Sequence, residues 1–149
     1  MEIKLFLDDH VEAVFSYELN RLPSDLSEIQ REMKSWENPW RKESLQHYSK
    51  LGWSFIAFEG DEILGYILGQ PVLFFNNWTQ TLWVEAMSFQ DKEVGFQLLD
   101  TVVRWSKSKH LQKVIYNKKC SHAGFAKESF PKFQDGDYLH LSTTKLTED

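Results

Sequence analysis

A strand, a loop and a helix between Thr79 and Lys109 constrain the fold of this chain more than any other segment. Residues 79–87 are rich in β-forming side chains and predict a strand. An apolar set at helical spacing follows and predicts a helix that ends near Lys109. The members of this set are Val94, Leu98, Leu99 and Val102. Residues 114–116 form a second predicted strand, so a right-handed parallel crossover and a mixed sheet are expected.

The remaining segments predict helices and an antiparallel meander around this unit. In chain order they are a strand over 2–7, helices beginning near 9, 25 and 40, strands over 53–59 and 63–75, a helix over 123–129 and a last hairpin around Asp135-Gly136. Asp9 with Glu12, and Asp25 with Glu28, match the helix-capping pattern. The apolar face of the second helix is expected to point to the core. That face consists of Leu26, Ile29, Met33 and Trp36.

The composition favours some classes of partner and disfavours others. The 149 residues are 42% hydrophobic, which suits one domain with an ordinary core, and we expect a single domain over residues 1–149. The formal net charge of −5 gives no support for a nucleic-acid partner and favours an amine or another cationic substrate.

Cysteine usage and hydropathy indicate the compartment. Cys120 is the only cysteine, so it has no intramolecular disulfide partner, and no metal-ligand spacing surrounds it. The acidic N-terminus does not match a signal peptide, and no apolar run is long enough to span a bilayer. We therefore expect a cytoplasmic protein without a metal or a membrane partner.

The order of predicted elements resembles the GNAT superfamily of N-acyltransferases across nearly the whole chain. Residues 58–66, Phe-Glu-Gly-Asp-Glu-Ile-Leu-Gly-Tyr, resemble the second hairpin of that family, and Val94-Gly95-Phe-Gln-Leu-Leu resembles the start of its cofactor helix. The resemblance implies an α/β (α+β) fold with a mixed, mostly antiparallel sheet of about six to seven strands and about four to five helices.

The loop before this helix is where the family binds acyl-coenzyme A. Its pattern, Gln/Arg-x-x-Gly-x-Gly/Ala, uses free amides at a helix N-terminus to bind the pyrophosphate, and glycines let the phosphates approach. The matching residues are 90–95, Gln-Asp-Lys-Glu-Val-Gly. Backbone groups of residues 86–89 are expected to bind the pantetheine arm. The implied cofactor-binding residues are Met87, Ser88, Phe89, Gln90, Lys92, Val94, Gly95, Phe96 and Asn117.

Two positions depart from the family pattern. Glu93 stands where the first glycine belongs, and a carboxylate there repels a pyrophosphate unless it points away; it is equally explained as a first-turn acid that stabilises the helix. Phe125 stands where many members carry a Tyr that protonates the departing thiolate. The substitutes that we consider for this acid are Tyr116, Ser121, His122 and a water molecule.

Acyl transfer to an amine also requires a base, because an ammonium group must lose a proton before it attacks. Glu85 lies between apolar residues on the strand that borders the thioester in the family, so we predict it as the base. If strand alternation holds, Trp83, Glu85 and Met87 share one face. The alternative is that Glu85 faces solvent or pairs with a lysine.

Three aromatic residues are candidates for the acceptor site, since they fall in segments that resemble the acceptor-pocket parts of the family. They are Trp36, Trp40 and Phe75, which would stack on the acceptor or make cation-π contacts, the alternative being core packing.

The sequence therefore predicts an acyl-coenzyme A dependent N-acetyltransferase that acts on a small-molecule or peptide amine by direct attack on the thioester. Its co-substrate would be acetyl-coenzyme A, and it would be a monomer or a homodimer. The alternative, supported by Glu93 and Phe125, is a GNAT-fold ligand-binding or interaction module with weakened catalysis.

Overall fold

The computed structural model describes residues 1–75, 78–119 and 122–143, with the side chains of Phe75 and Ala123 excepted. Its strands are β1 Glu2–Leu5, β2 Phe55–Glu59, β3 Glu62–Phe75, β4 Trp78–Phe89, β5 Lys113–Tyr116, β6 Gln134–Asp135 and β7 Leu139–Ser142. Its helices are α1 Val11–Asn20, α2 Glu28–Trp36, α3 Lys42–Ser49, α4 Lys92–Ser108 and α5 Ala123–Ser129, and a 3-10 helix, Asp8–His10, precedes α1. The predicted turn at Asn76-Asn77 lies outside the described residues.

The strands form one seven-stranded sheet in the order β1-β2-β3-β4-β5-β7-β6. The pairs β1–β2, β2–β3, β3–β4, β5–β7 and β6–β7 are antiparallel, and β4–β5 is parallel. Helix α4 connects the two parallel strands, which is the crossover predicted from the sequence. The predicted fold, a mixed and mostly antiparallel sheet with flanking helices, is confirmed.

Two apolar clusters cover the two faces of the sheet. The first packs α4 against the sheet and contains Leu98, Leu99 and Val102, all fully buried. The second packs α1 and α3 against the other face and contains Val14, Leu45 and Tyr66. The helical spacing of the α4 residues explains this arrangement, because it directs one continuous apolar stripe at the strands.

A β-bulge interrupts β4 at Glu85. Leu68 pairs with Ala86 whereas the next residue, Gly69, pairs with Val84, so Glu85 is the extra residue. The bulge resets the alternation of the strand. Met87 joins Val84 in the cluster under α4, and Ala86 joins the cluster under α1 and α3. The expectation that Met87 shares a face with Trp83 and Glu85 was therefore wrong.

Helix α2 differs from its prediction in its cap and in its orientation. Ser27 caps it, since the Ser27 hydroxyl accepts a hydrogen bond from the Gln30 amide at 3.3 Å and the Ser27 amide donates to Gln30 Oε1 at 2.8 Å. Asp25 and Glu28 do not form the predicted box. Its apolar stripe faces solvent rather than the core, with exposed fractions of 66% for Ile29, 52% for Met33 and 58% for Trp36.

The start of α1 also differs from its prediction. The 3-10 helix precedes it, and the Leu7 amide donates to His10 Nδ1 at 3.0 Å. The residue before α1 is His10, which makes no side-chain cap bond, so Asp9 and Glu12 do not form the predicted capping box.

Candidate active site

Strand β5 ends halfway along β4. The parallel ladder of the two strands joins Thr81–Val84 to Lys113–Tyr116, and the Asn117 amide extends it by donating to the Val84 carbonyl oxygen at 3.0 Å. Beyond this point β4 runs on to Phe89, where it pairs with β3 through Gly65. In the part of the chain that the structure describes, the edge of β4 from Ala86 to Phe89 therefore has no strand on the β5 side.

A cavity of about 490 Å³ lies beside this open half of β4. Its lining comes from α1 and the loop after it, the loop between α2 and α3, strands β3 and β4, and the segment before α5. The lining residues are Glu18, Arg21, Leu22, Glu37, Asn38, Pro39, Trp40, Tyr66, Ala86, Met87, Ser88, Lys119 and His122. The cavity thus combines the backbone of β4 with several charged side chains.

A polar network joins α1 to β4 inside this cavity. Arg21 donates from one guanidinium nitrogen to Glu18 Oε1 at 3.1 Å, to the Tyr17 hydroxyl at 3.2 Å, and to the Ser88 hydroxyl. The Ser88 hydroxyl in turn donates to Glu18 Oε1 at 3.3 Å. The Glu18 side chain is 12% exposed, so its carboxylate is held in a partly desolvated position next to β4.

Two tyrosines near this network, Tyr17 and Tyr66, stay protonated at neutral pH. Burial, reinforced by the Glu18 carboxylate, raises the pKa of Tyr66 well above its usual value. Burial also raises the pKa of Tyr17. Both phenols therefore remain neutral hydrogen-bonding groups, and Glu18 and Glu37 supply the negative charge of the cavity.

His122, from the segment before α5, also lines the cavity. It has a left-handed backbone with φ 71°, and its ring centroid is 4.2 Å from that of Phe89. Burial, and then the charge of Arg21, lower the pKa of His122 below its usual value, so the imidazole is neutral at pH 7. It is thus a proton acceptor beside the open strand.

Asp91 caps the N-terminus of α4. Asp91 Oδ1 accepts a hydrogen bond from the Val94 amide at 3.1 Å, and the Asp91 carbonyl oxygen accepts one from the Gly95 amide at 3.2 Å. The Glu93 carboxylate is turned along the helix, where it accepts from Gln97 Nε2 at 2.9 Å. A cleft of about 270 Å³ borders this terminus and is lined by Lys92, Glu93, Phe96, Phe125, Glu128 and Ser129.

Gly95 has a packing reason to be a glycine. A Cβ atom there would lie 2.8 Å from the Phe89 ring and 3.0 Å from the Phe125 ring. The rings of Phe89 and Phe125 contact one another, with centroids 4.7 Å apart. Phe125 therefore fills the space between α4, α5 and β4 as an apolar side chain.

The predicted cofactor residues fall into two groups. Met87 and Ser88 line the cavity, and Lys92 and Phe96 line the cleft at α4, where Phe96 stacks on Phe130. Gln90 turns back to β3 by donating to the Ile63 carbonyl oxygen at 3.4 Å.

Asn117 directly follows β5, at the point where the pairing of β5 with β4 ends. Its Nδ2 donates to the Glu85 carbonyl oxygen at 3.4 Å, and its Oδ1 accepts from the Lys119 amide at 3.0 Å.

The predicted base and acceptor residues are dispersed. The Glu85 carboxylate accepts from Trp83 Nε1 at 2.6 Å, and Glu85 is not among the residues that line the cavity. Trp40 lines the cavity and is 6% exposed, whereas Trp36 lies on the solvent face of α2. The side chain of Phe75 lies outside the described part of the chain. These roles stay predictions.

Sequence reasoning missed the group that the cavity brings together. Glu18 and Arg21 were not among the predicted site residues and match no functional motif, whereas His122 was considered only as a substitute proton donor. The only available signal was a pair of opposite charges at i and i+3 near the end of α1, which is common on solvated helices. Of the three side chains considered as proton donors, Tyr116 is fully buried, Ser121 lies outside the described residues and His122 lines the cavity.

Two further findings concern metal ions and membranes. Within residues 1–75, 78–119 and 122–143, no three side chains of His, Cys, Asp or Glu come together as a metal site would require. None of the helices among those residues has the length and apolar character needed to cross a membrane.

Comparison with solved structures identifies the fold. The PaiA N-acetyltransferase of Thermoplasma acidophilum, solved with coenzyme A, is 15% identical over 95% of this chain and 98% of its own, with a TM-score of 0.65. The protein TTHA1254 of Thermus thermophilus is 20% identical over 88% of this chain and 85% of its own, with a TM-score of 0.60. A Drosophila melanogaster polyamine N-acetyltransferase that forms N-acetylagmatine is 10% identical over 87% of this chain and 81% of its own, with a TM-score of 0.63.

Comparison of sequences identifies the family. A search of curated proteins found no match. The model of the acetyltransferase (GNAT) family matches residues 19–126, which include β4, the start of α4 and most of the cavity lining. The chain therefore belongs to the acetyltransferase (GNAT) family.

Proposed function

We propose that this protein is an acyl-coenzyme A dependent N-acetyltransferase that transfers an acetyl group to a small-molecule or peptide amine by direct attack on the thioester. One observation carries the proposal. The open edge of β4 from Ala86 to Phe89 borders a cavity that holds the partly buried Glu18 carboxylate. Such an edge offers backbone groups to an amide-containing arm, and the carboxylate attracts an ammonium group.

The residues at the start of α4 fit the diphosphate of coenzyme A in part. Lys92 lines the cleft there and carries a positive charge, and the helix N-terminus favours an anion. Asp91 already accepts the Val94 amide hydrogen, so its carboxylate competes for the same donor. Glu93 is bonded to Gln97 along the helix, which lessens the repulsion expected from the sequence. Acetyl-coenzyme A would supply the activated acetyl group as a thioester.

An amine acceptor is supported by the two carboxylates in the cavity lining, Glu18 and Glu37, which lie there together with Arg21 and Lys119. The net charge of −5 of the chain favours the same class of substrate. The volume of about 490 Å³ suits a small molecule or the end of a peptide. Two of the structural neighbours have amine substrates in their names, a polyamine N-acetyltransferase and an agmatine N-acetyltransferase. In this proposal Glu18 binds the acceptor ammonium group.

Glu85, the base predicted from the sequence, stays a candidate for that role although it does not line the cavity, and Glu18 is the matched comparison. Each carboxylate is replaced by the isosteric amide in Glu85→Gln and Glu18→Gln. Loss of a base that acts on the acceptor is expected to lower kcat about 10²- to 10⁴-fold. Loss of a group that only binds the ammonium raises KM instead.

A ligand-binding module with weakened catalysis is the second candidate. The phenyl ring of Phe125 is its specific support, since it packs against Phe89 and Gly95 without a hydroxyl to donate.

Titration calorimetry with acetyl-coenzyme A, followed by thiol release across an amine panel, separates the two functions. The acetyltransferase proposal predicts saturable binding and amine-dependent thiol release. Binding without thiol release favours the module. No binding at millimolar concentration contradicts the acetyltransferase proposal.

A further inference from the structure

We propose that His122 transfers the protons of the acetylation reaction in this protein, accepting one from the acceptor ammonium and delivering it to the leaving sulfur. The inference rests on the proposed function, which it deepens by assigning both proton transfers to one residue, in place of Glu85 as the base and of the family tyrosine that Phe125 replaces. It is carried by the position of His122 in the lining of the cavity, where its ring centroid is 4.2 Å from that of Phe89 at the end of β4.

The imidazole is fixed at this position by its contacts. Its ring lies against Phe89, whose other neighbour is Phe125, one helical turn further along α5. It lines the same cavity as Met87 and Ser88, which belong to the half of β4 that pairs with β3 and lies beyond the ladder with β5. Phe125 fills the packing site next to Gly95 and does not titrate. The proposal therefore assigns the titrating group to residue 122 rather than to residue 125.

The charged and titratable groups around His122 come from every side of the cavity. They are Glu18 and Arg21 from α1 and the residue after it, Glu37 from the loop after α2, Tyr66 from β3, and Lys119 from the loop after β5. Imidazole is the only one of these side chains whose ordinary pKa lies near neutral pH. Burial and Arg21 lower the pKa of His122, which keeps it unprotonated and able to accept a proton at pH 7.

The proposed step balances as follows in atoms and charge. The acceptor ammonium gives one proton to His122, and the freed nitrogen lone pair forms a C–N bond to the thioester carbonyl carbon. The C–S bond breaks, with its electron pair going to sulfur. The imidazolium gives its proton to the thiolate, whose thiol has an ordinary pKa of about 8.5 if it resembles cysteine. The second proton of the nitrogen leaves to solvent, so one proton is released per turnover.

The decisive variant is His122→Asn, because asparagine tolerates the left-handed backbone of residue 122 but does not titrate. We expect kcat/KM to fall about 10²- to 10⁴-fold, with unchanged affinity for acetyl-coenzyme A by calorimetry. The acidic limb of the wild-type profile of kcat/KM, between pH 5 and 7, should disappear. His47→Asn is the control, since His47 is exposed, bonds to Gln70 and does not line the cavity.

A second variant separates proton transfer from folding. His122→Gly also accepts the left-handed backbone and leaves room beside Phe89, so added imidazole should restore part of the activity. Wild-type kcat/KM and an unchanged acidic limb in His122→Asn would overturn the role of His122. A retained limb with lowered activity, or no rescue by imidazole, would also overturn it. A wild-type protein that neither binds acetyl-coenzyme A nor releases thiol would refute the proposed function itself.

Discussion

Asp91 Oδ1 accepts a hydrogen bond from the Val94 amide at 3.1 Å, so a carboxylate of the chain already occupies an anion position at the N-terminus of α4. Asp91→Asn removes the charge and keeps the cap, since asparagine and aspartate cap helices about equally well. We expect the variant to bind acetyl-coenzyme A roughly two- to fivefold more tightly, which corresponds to about 0.3 to 1 kcal/mol. Titration calorimetry at low salt measures the affinity of both proteins for acetyl-coenzyme A.

Asp100→Asn is the matched control for this prediction. Asp100 lies on the same helix and pairs with Arg104 at 2.9 Å, away from the helix start. Its amide variant has the same change in net charge, so it should leave the affinity unchanged. Equal gains in the two variants would mean that net charge, rather than the occupied helix terminus, determines binding.

Glu93 tests the same terminus at the position where the family has a glycine. Its carboxylate lines the cleft and accepts from Gln97 along the helix. Glu93→Gln removes the charge alone, and Glu93→Gly also clears the side chain. If phosphates contact this loop, both variants tighten the binding of acetyl-coenzyme A, and the glycine variant does so by more. Unchanged affinity in both would show that the phosphates bind elsewhere.

The fold was largely predictable because its apolar residues follow the periods of its elements. The α4 stripe and the β meander are each encoded locally, and the crossover follows from their order. Helix α2 was mispredicted in orientation because an apolar stripe identifies a face but not what covers it. Ile29, Met33 and Trp36 have helical spacing and face solvent.

The candidate site was less predictable. The bulge at Glu85 inverts the faces of the following residues, and nothing in the sequence of β4 signals an extra residue in its pairing with β3. Glu18, Ser88 and His122 meet only when α1, β4 and the segment before α5 converge. Such a contact is a property of tertiary packing, so it leaves no local pattern.

Gly65 should be intolerant of any side chain, because it pairs with Phe89 at the open half of β4. A Cβ atom there would lie 2.5 Å from the Ser88 carbonyl oxygen and 3.0 Å from the Phe89 Cα. Both are backbone atoms, so Gly65→Ala must shift β3 against β4, and we expect a loss of about 1–3 kcal/mol. Urea unfolding measures it. Gly124→Ala is the control, since nothing lies within 4 Å of its Cβ position.

The stability of the protein should fall as the pH is lowered from 7.5 to 5. Burial lowers the pKa of His140, with a further contribution from Lys113, and burial also lowers the pKa values of His10 and His122. Between the folded and the unfolded pKa values the unfolded chain binds more protons, so stability rises with pH. The contribution is complete above the unfolded pKa near 6.5 and is lost as the pH falls through the folded pKa.

His140→Gln should make this dependence shallower. His140 stacks on Trp78 with ring centroids 4.9 Å apart, and the variant removes one of the three contributing imidazoles while the antiparallel pairing of β7 with β5 remains. Urea midpoints at several pH values measure the slope. A slope in the variant as steep as that of the wild type would show that His140 does not contribute to the pH dependence of stability.

The most direct measurement of the central claim is an amide chemical-shift titration of the folded protein with acetyl-coenzyme A. If the open half of β4 and the start of α4 bind the co-substrate, saturable shifts should be largest at the amides of residues 86–89 and 92–95. The amides of the edge strand β1, which lines neither the cavity nor the cleft, should change little. Saturable shifts confined to β1, or no shifts at millimolar concentration, would contradict the account.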